Sequence, residues 1–491
     1  MLEAYCWPQS VDPGSAASLH VSTDATRGAF EVEVAREGAE HQVIWRGAGA
    51  AGHHAVPADA TSSGCGWPAA LEVPIGEDWP SGYYSVTLAA SDEHADAFLV
   101  VRPHRGSAAP AILVLSTATW NAYNDWGGPS LYTGGTTVSF ERPLAKGFLR
   151  KPEPVGRKMQ REPDREAMHY VTWARDHGLS DWSGGAGWFQ YERPFLRWAE
   201  ANGYPLDVAI SQDLELHPAI LEGHRLVLSV GHDEYWSWGM RDALDAFLAS
   251  GGNAAILSGN TCFWQVRFGD DHRAMTGYKY RSSEDPVLGT PDERFLTGPW
   301  SDRRVGRPET STIGLTFTRG GYSRYGLGAP RSSGGYTVHR PDHWVFEGTG
   351  LRYGDTFGAA DAIVSYEVDG CAFAMVDGLP VPTHEDGAPD SLQVLASAPA
   401  RLWSQDEQPS RYAHEPGELE HAAMAVYGDA WREEVHRLAH NHAVYGVFEV
   451  EGGGTVVNAG VTDWVYGLVG SDPDVERITR NVLDGLTACP A

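Results

Sequence analysis

The sequence of 491 residues predicts a doubly wound α/β core between an N-terminal all-β sandwich and a β-rich C-terminal portion. Three observations lead to this fold class. Segments near the N-terminus alternate apolar and polar residues with period two, which is typical of half-buried strands. From residue 111, continuous apolar runs alternate with amphipathic helices, as in a parallel sheet covered by helices. From about residue 310, short strands separated by glycine-rich turns return.

Residues 1–103 form the first predicted domain. The alternating segments are AFEVEVAREG from Ala29, QVIWRG from Gln42, YYSVTLAAS from Tyr83 and DAFLVVRP from Asp96. Several short strands with turn signals between them favour an immunoglobulin-like sandwich. The segment 102–110, RPHRGSAAP, is a linker by composition, so the second domain is predicted over residues 110–491.

Strands and helices alternate at the start of the second domain. The predicted strands are AILVLST from Ala111, PLDVAIS from Pro205, HRLVLSVGHDEYW from His224 and NAAILSGNTCFW from Asn253. The predicted helices are PFLRWAEANGY, with Gly203 just past its end, and GMRDALDAFLASGG, which is closed by glycines. Such sheets bind ligands beyond the carboxyl ends of their strands. Three polar loops are therefore expected to converge there: TWNAYND, GHDEYW and SGNTCFW.

The remaining chain is predicted to be β-rich and to contain two loop-like stretches. STIGLTF, GYTVHR, AIVSYEVDG and YGVFEVEGGGTVVNAG predict strands, and PDVERITRNVLDGL, which begins at Pro473, predicts a closing helix. One loop-like stretch, 146–169, carries Lys146, Arg150, Lys151, Arg157, Lys158 and Arg161. We expect it to be a solvated loop, with contact to a partner or another domain as the alternative. The other stretch, 381–422, is rich in Pro, Asp, Glu and Ser.

The composition excludes several functional classes. The chain has 37 Lys and Arg against 65 Asp and Glu, a formal net charge of −28, which repels nucleic-acid phosphates and anionic membranes. Its five cysteines are far apart and form no CxxC pair, which argues against a disulfide framework and a structural zinc site. No signal peptide and no apolar run of about 18 residues is visible, so we expect a cytoplasmic protein.

The GHDEYW loop carries the first candidate chemistry. His232 and Glu234 are two residues apart, so in extended backbone their side chains point to the same side. An imidazole beside a carboxylate can bind a metal or form an acid–base pair. The alternative is a loop histidine beside a surface glutamate.

The other two loops and two distant segments add weaker candidates. Tyr123 of TWNAYND can ionise beside a hard cation and bind it, although an aromatic packed at a loop base is the commoner case. Asn260 of SGNTCFW can donate to an oxyanion, or simply form a turn. Lys279 can stabilise negative charge, and Glu367 can orient His232. Nothing marks a thiolate environment at Cys262, which we expect to be a buried thiol.

Several catalytic motifs are absent from the sequence. There is no GxSxG, no HExxH and no P-loop. A doubly wound sheet of the glutamine-amidotransferase kind would carry a cysteine nucleophile in the loop after its third predicted strand. Here that loop has His-Asp-Glu, which disfavours that chemistry.

Seven segments, taken in order, resemble the N,N-dimethylformamidase large (beta) subunit family over about residues 110–490. They are TWNAYNDWGG, GWFQYERPFLRWAE, LVLSVGHDEYWSWGMRDA, SGNTCFWQVR, HWVFEGTGLRYGD, VVNAGVTDWVYGL and ERITRNVLDGL. The resemblance implies an amidohydrolase with a mononuclear ferric ion held by two tyrosinates and a glutamate, beside a histidine. It also implies pairing with a small second subunit, and a homo-oligomer is the alternative assembly.

Carried onto this sequence, the resemblance makes Tyr123 and Glu234 metal ligands, with His232 at the metal. Asn260, Lys279 and Glu367 fall where the family has supporting polar residues. The candidates for the second tyrosinate are Tyr132, Tyr170 and Tyr191.

The function expected from the sequence is therefore hydrolysis of a small, non-peptide amide C–N bond to a carboxylic acid and an amine. Iron would polarise the carbonyl group. The alternative is a non-catalytic or carbohydrate-binding protein on the same scaffold, because the chain has 18 tryptophans and sugar rings stack on aromatic faces.

Overall fold

The computed structural model describes the chain in these ranges: 1–24, 28–104, 106, 109–158, 169–269, 271–326, 329–407 and 416–488. Contacts divide it into two compact units. The first comprises residues 1–155, 174–224 and 268–276, and the second comprises residues 156–173, 225–267 and 277–491. The segment 102–110, which we predicted to be a linker, lies within the first unit, and its residues 105, 107 and 108 lie outside the described residues.

The described residues contain strands and helices that we number in chain order. The strands are β1 (Glu3–Trp7), β2 (Ser10–Val11), β3 (Ala16–Ser22), β4 (Gly28–Glu37), β5 (His41–Ala51), β6 (Ala69–Pro74), β7 (Gly82–Ala90), β8 (Glu93–Val101), β9 (Ala111–Leu115), β10 (Thr137–Ser139), β11 (Leu206–Ile210), β12 (Leu226–His232), β13 (Tyr235–Ser237), β14 (Asn253–Gly259), β15 (Trp264–Phe268), β16 (Ala274–Thr276), β17 (Thr316–Tyr322), β18 (Tyr336–Val338), β19 (Thr356–Phe357), β20 (Glu367–Gly370), β21 (Phe373–Val376), β22 (Leu379–Pro382), β23 (Gln393–Ala400), β24 (Asn441–Glu449) and β25 (Thr455–Asn458). The α-helices are α1 (Ala60–Ser63), α2 (Thr117–Tyr123), α3 (His169–Asp176), α4 (Glu192–Ala201), α5 (Ser211–Leu216), α6 (Trp238–Ala249), α7 (Thr310–Ile313), α8 (Glu418–Tyr427), α9 (Trp431–Glu434), α10 (Trp464–Val469) and α11 (Pro473–Thr487).

In the first unit, two sheets share one apolar core. A five-stranded sheet has the order β2-β8-β7-β4-β5, and a three-stranded antiparallel sheet has the order β1-β3-β6. The alternation in β4 buries Phe30, Val32 and Val34, which join Leu19 and Val21 of β3 in the core. Burying such a side chain contributes about 1.5–3 kcal/mol. The unit also contains the parallel pair β9 and β11 and the antiparallel pair β10 and β16.

In the second unit, seven strands lie in the order β12-β14-β25-β24-β23-β18-β19. β12, β14 and β25 are parallel, and the strands from β24 onward are antiparallel. The strands predicted in GYTVHR and YGVFEVEGGGTVVNAG therefore extend the parallel sheet, whereas β17 and β20, in STIGLTF and AIVSYEVDG, form a separate antiparallel pair. His232 is paired in register with Gly259, so the GHDEYW and SGNTCFW loops leave the sheet at the same level.

Three local predictions are wrong. TWNAYND is not a loop: Thr117–Tyr123 is helix α2, whose seven residues are all buried. STIGLTF begins in α7, which ends at the left-handed Gly314, and the strand starts at Thr316. The stretch 381–422 contains β23, where the apolar run Val394–Ala396 is buried despite polar surroundings, and also the start of α8.

The basic stretch 146–169 is not simply solvated. Lys151 is buried and donates to Ser183 O at 2.7 Å. Lys158 is buried and donates to Tyr366 Oη at 2.6 Å. Arg161 lies outside the described residues. Each buried ammonium has an acceptor because an unpaired buried charge is costly, so packing has overridden the polarity of the sequence.

Candidate active site

His232 and two carboxylates lie together in the second unit. His232 Nε2 is 2.7 Å from Glu367 Oε2 and 3.5 Å from Glu234 Oε2, and all three side chains are buried. His232 ends β12, and Glu234 follows two residues later, so period two places both side chains on one side. The structure therefore brings together the imidazole and the two carboxylates that the sequence singled out.

Glu367 reaches this place because β20 packs closely on the end of β14. A Cβ added to Gly259 would lie 2.5 Å from Glu367 O and from Thr462 N, so only glycine allows this approach. On the other side, β17 pairs with β20 and sets Tyr322 opposite Glu367. The Tyr322 hydroxyl lies 3.3 Å from Glu367 Oε1 and 2.9 Å from Glu418 Oε1.

Hydrogen bonds keep the Glu367 carboxylate ionised. Asn260 Nδ2 donates to Glu367 Oε2 at 3.1 Å. Burial alone would raise the pKa of Glu367, but the charge and hydrogen bond of His232 lower the pKa to about 2. Lys158 and the Tyr366 hydroxyl act in the same direction. A fixed carboxylate of this kind can orient an imidazole and stabilise its protonated form.

Lys158 and Tyr366 are site residues that sequence reasoning missed. The Lys158 ammonium donates to Tyr366 Oη at 2.6 Å and lies 4.0 Å from the centroid of that ring. The Tyr366 ring is 6.0 Å from the His232 ring at an angle of 82°. No pattern in the sequence separates Lys158 from the other cations of its basic stretch.

Trp264 connects Glu234 to the second predicted cation. Its indole Nε1 donates to Glu234 Oε1 at 2.7 Å. Lys279 is buried, and its Nζ lies 5.3 Å from the centroid of the Trp264 ring. Lys279 and the carboxylate of Glu234 thus have the Trp264 side chain as a common neighbour.

Three residues in these loops have a strained backbone. Asn260, Cys262 and Lys279 have φ values of 50°, 55° and 55°, in the left-handed region that disfavours residues with a Cβ. Each such residue costs on the order of 1–3 kcal/mol, and strain of this kind clusters at functional sites. Asn260 Oδ1 is buried and has no hydrogen-bond partner among the residues that the structure describes.

Helix α8 contributes a third missed residue, His421. Its buried ring lies 4.7 Å from the Tyr280 ring and 5.9 Å from the Trp264 ring. Burial lowers the pKa of His421 to about 4, and the charge of Lys279 adds to this effect. A neutral imidazole therefore stands beside the aromatic wall of the site.

Cys262 is excluded as a nucleophile. Its side chain is fully buried, and burial raises the pKa of its thiol well above the ordinary value. The thiolate is the nucleophilic form, so this cysteine behaves as a small apolar residue. Cys6, Cys65 and Cys371 are also unpaired and buried, and Cys489 lies outside the described residues.

Tyr123 belongs to the first unit, where it ends α2. Tyr132 Oη donates to Tyr123 Oη at 2.7 Å, and the two rings are 4.2 Å apart. Of the three candidates for a second tyrosinate, Tyr132 is therefore the one beside Tyr123. The hydroxyl of Tyr191 lies instead 3.4 Å from Gly184 O, and Tyr170 belongs to the second unit. The predicted meeting of Tyr123 with Glu234 stays a prediction.

The donor chemistry fits a hard cation in part. Two oxygen ligands about 2 Å from one ion, at a right angle, are about 2.8 Å apart, close to the Tyr123–Tyr132 spacing. In the second unit, the indole of Trp264 donates a hydrogen bond to Oε1 of Glu234, and Oε2 of Glu234 faces His232. His232 Nε2 faces Glu367, which suits a histidine beside the ion better than one bonded to it. Within the described ranges, no group of three or more His, Cys, Asp or Glu is arranged as a metal site.

Comparison with known proteins identifies the family. Residues 17–477 match the family described as "N,N-dimethylformamidase beta subunit-like, C-terminal". The chain belongs to this family. Two curated relatives, both named N,N-dimethylformamidase beta subunit, come from Alcaligenes sp and Paracoccus aminophilus. Each is 23% identical to this chain, over 461 and 460 residues respectively. The resemblance found in the sequence is thus confirmed.

The family match covers only part of the relatives. The alignments include 86% and 85% of this chain but 54% of each relative, so the chain spans about half the length of the dimethylformamidase subunits it matches. Among the described residues, no helix has the length and apolar character needed to cross a membrane.

Proposed function

We propose that this dimethylformamidase-family protein hydrolyses a small carboxamide at its C–N bond, giving a carboxylic acid and an amine. The observation that carries the proposal is the buried contact of His232 Nε2 with Glu367 Oε2 at 2.7 Å, beside Glu234. The relatives are named as dimethylformamidase subunits, which supports the same reaction class.

The acid–base step is assigned to His232. Its imidazole accepts a proton from the attacking water as the water oxygen bonds to the carbonyl carbon. Glu367 stabilises the resulting imidazolium, since an ionised carboxylate at 2.7 Å favours the positive charge. The proton then passes to the leaving nitrogen as the C–N bond breaks, and general acid–base catalysis of this kind contributes about 10²–10⁴-fold.

The negative charge that develops on the carbonyl oxygen of the substrate must be stabilised by a group other than His232. We assign Lys279 to this role, because its buried ammonium lies against Trp264, which is bonded to Glu234. Asn260 positions Glu367 through Nδ2, and its Oδ1 can accept an N–H from the substrate. A developing oxyanion in such a buried site is stabilised strongly by fixed donors.

A ferric ion is part of the proposal as an expectation from the family resemblance. The residues assigned to it are Tyr123, Tyr132 and Glu234, with His232 beside it. When bound, the ion would act as a Lewis acid toward the amide carbonyl. The "beta subunit" names of the relatives are consistent with a second subunit, and we retain a small partner subunit or a homo-oligomer as the expected assembly.

The test measures amine or ammonia release from formamide, N-methylformamide, N,N-dimethylformamide and acetamide. Purified protein is assayed as isolated and after loading with iron, and iron is counted by mass spectrometry. Bound iron should also give a visible tyrosinate-to-iron absorption band. We expect at least one amide to be cleaved in proportion to iron content.

The control variant separates site chemistry from folding. His232→Gln removes the proposed base, whereas His53→Gln changes an exposed histidine of the first unit. Activity should fall at least about 100-fold in the first variant and stay unchanged in the second. Iron-loaded protein that cleaves none of the amides, or equal activity of His232→Gln and the parent, would overturn the proposal.

A further inference from the structure

The second unit contains a cavity of about 250 Å³ that the proposed hydrolysis does not use. Its wall includes Glu309, Thr316, Asp386, Arg303, Arg319 and Glu385. The volume suits a small polar molecule, being just below the range of ordinary ligand pockets.

Glu309 is the residue that points to a ligand. It is 0% exposed, and its Oε1 accepts a hydrogen bond from Thr316 Oγ1. Its Oε2 is buried and has no hydrogen-bond partner among the described residues. Glu309 and its hydrogen-bond partner Thr316 both line the cavity. A buried acceptor without a donor is unfavourable, so the wall is suited to a ligand that supplies one.

The buried cation whose charge acts on Glu309, Arg241, does not supply that donor. Arg241 donates instead to the backbone oxygens of Arg307 and Pro308 and to Thr312 Oγ1. Arg241 thereby holds the segment that leads into Glu309, but it makes no hydrogen bond to the Glu309 carboxyl group. Burial is the main cause that raises the pKa of Glu309 to about 7, and the charge of the neighbouring Asp386 acts in the same direction. An ammonium group would provide both the missing donor and the missing positive charge.

The outer part of the cavity has the opposite character. Arg319 and Arg437 share the single carboxylate of Glu385, with Arg319 Nη2 2.6 Å from Oε1. Arg303 is exposed and also lines the cavity, and its guanidinium rests against the backbone of Gly428. Arg437 also lies 3.4 Å from Glu434, so Arg319 and Arg437 are already paired with carboxylates. Arg303 makes no ion pair among the described residues, and its guanidinium is therefore the group at this rim that can take an anionic group.

We propose that this cavity binds a small zwitterion of the amino-acid type, with its ammonium group on Glu309 and its carboxylate at the arginine rim. The inference stands apart from the proposed amide hydrolysis, because none of these residues belongs to the candidate active site. Binding can therefore be measured whether or not the protein cleaves an amide.

The test uses three four-carbon probes in isothermal titration calorimetry. γ-Aminobutyrate carries both charges, butylammonium carries only the ammonium and butyrate carries only the carboxylate. We expect γ-aminobutyrate to bind most tightly, butylammonium more weakly and butyrate not at all. Glu309→Gln should weaken γ-aminobutyrate at least about tenfold, because hydrogen bonds to charged groups are strong. Glu451→Gln, an exposed glutamate of the same unit, is the matched control.

A second variant at the rim keeps the proposal testable if Glu309→Gln fails to fold. Arg303→Gln should weaken γ-aminobutyrate and leave butylammonium unchanged. The proposal is overturned if no probe binds with Kd below about 50 mM. It is also overturned if butyrate binds as tightly as γ-aminobutyrate, or if folded Glu309→Gln binds γ-aminobutyrate like the parent.

Discussion

The buried carboxyl of Glu309 should make the stability of this protein fall between acid and neutral pH. Glu309 is 0% exposed, and burial raises its pKa from the ordinary 4.5 to about 7. In the unfolded chain the group loses its proton near pH 4.5, whereas in the folded protein it keeps the proton to about pH 7. Between these values the folded state binds one more proton, so the free energy of unfolding falls as the pH rises.

The magnitude follows from the two pKa values. The difference between 4.5 and about 7, at about 1.4 kcal/mol for each pH unit, corresponds to about 3 kcal/mol. The contribution is fully present below pH 4.5 and is lost once the pH exceeds about 7. Glu309→Gln has no carboxyl to ionise at this position and therefore lacks this dependence.

The assay is urea unfolding of the parent and of Glu309→Gln at pH 5 and at pH 8, in buffers without amines or amino acids. All other titrating groups are common to both proteins and cancel in the comparison. The parent should lose about 2.5 kcal/mol relative to the variant between the two pH values, because part of the contribution is already lost at pH 5. An unchanged difference between the proteins at pH 5 and pH 8 would refute the argument that burial keeps this carboxyl protonated.

Three further predictions concern the candidate active site. Glu367→Gln should lower kcat for amide cleavage at least about 100-fold, because the carboxylate beside His232 is lost, and steady-state amine release measures this. Lys158→Met should lower kcat on the order of tenfold with KM nearly unchanged, because Lys158 acts through Tyr366. Lys158→Arg should restore part of the rate. A change in KM alone would contradict the positioning role of Lys158. Tyr123→Phe and Tyr132→Phe should each lower iron affinity at least about tenfold, as measured by metal analysis. Tyr191→Phe is the control and should not lower it, because the Tyr191 hydroxyl faces Gly184 O. Equal iron content in all three variants would contradict the assignment.

Local patterns predicted those parts of the structure that depend on neighbouring residues. Period-two alternation placed β4 and β7, and the apolar runs placed β12 and β14. The same periodicity placed His232 and Glu234 on one side of the chain, as their 3.5 Å contact shows. These predictions needed only the geometry of an extended backbone.

Residues brought in by tertiary packing could not be predicted in this way. Tyr322 contacts Glu367 only because β17 pairs with β20. His421 lies beside Trp264 because it is on helix α8, which begins in the stretch 381–422 that the sequence predicts to be a loop. Lys158 was misread because its charge favours solvent, while its hydrogen bond to Tyr366 becomes visible only in the fold. Glu367 was only a weak candidate from the sequence, since nothing near it in sequence marks a catalytic carboxylate.

The short strand β20 positions two parts of the candidate site, the His232–Glu367 pair and the loop that follows β14. Glu367 and Asp369 are two residues apart on β20, and period two directs both side chains toward the loop that follows β14. Glu367 binds His232 and Asn260, and Asp369 Oδ2 accepts the backbone N–H of Thr261 at 3.1 Å. The strained conformation of Asn260 is therefore held from two points of the same strand, because a residue with φ near +50° persists only where its surroundings enforce it. It follows that a shift of β20 would change the His232–Glu367 contact and the direction of the Asn260 amide together.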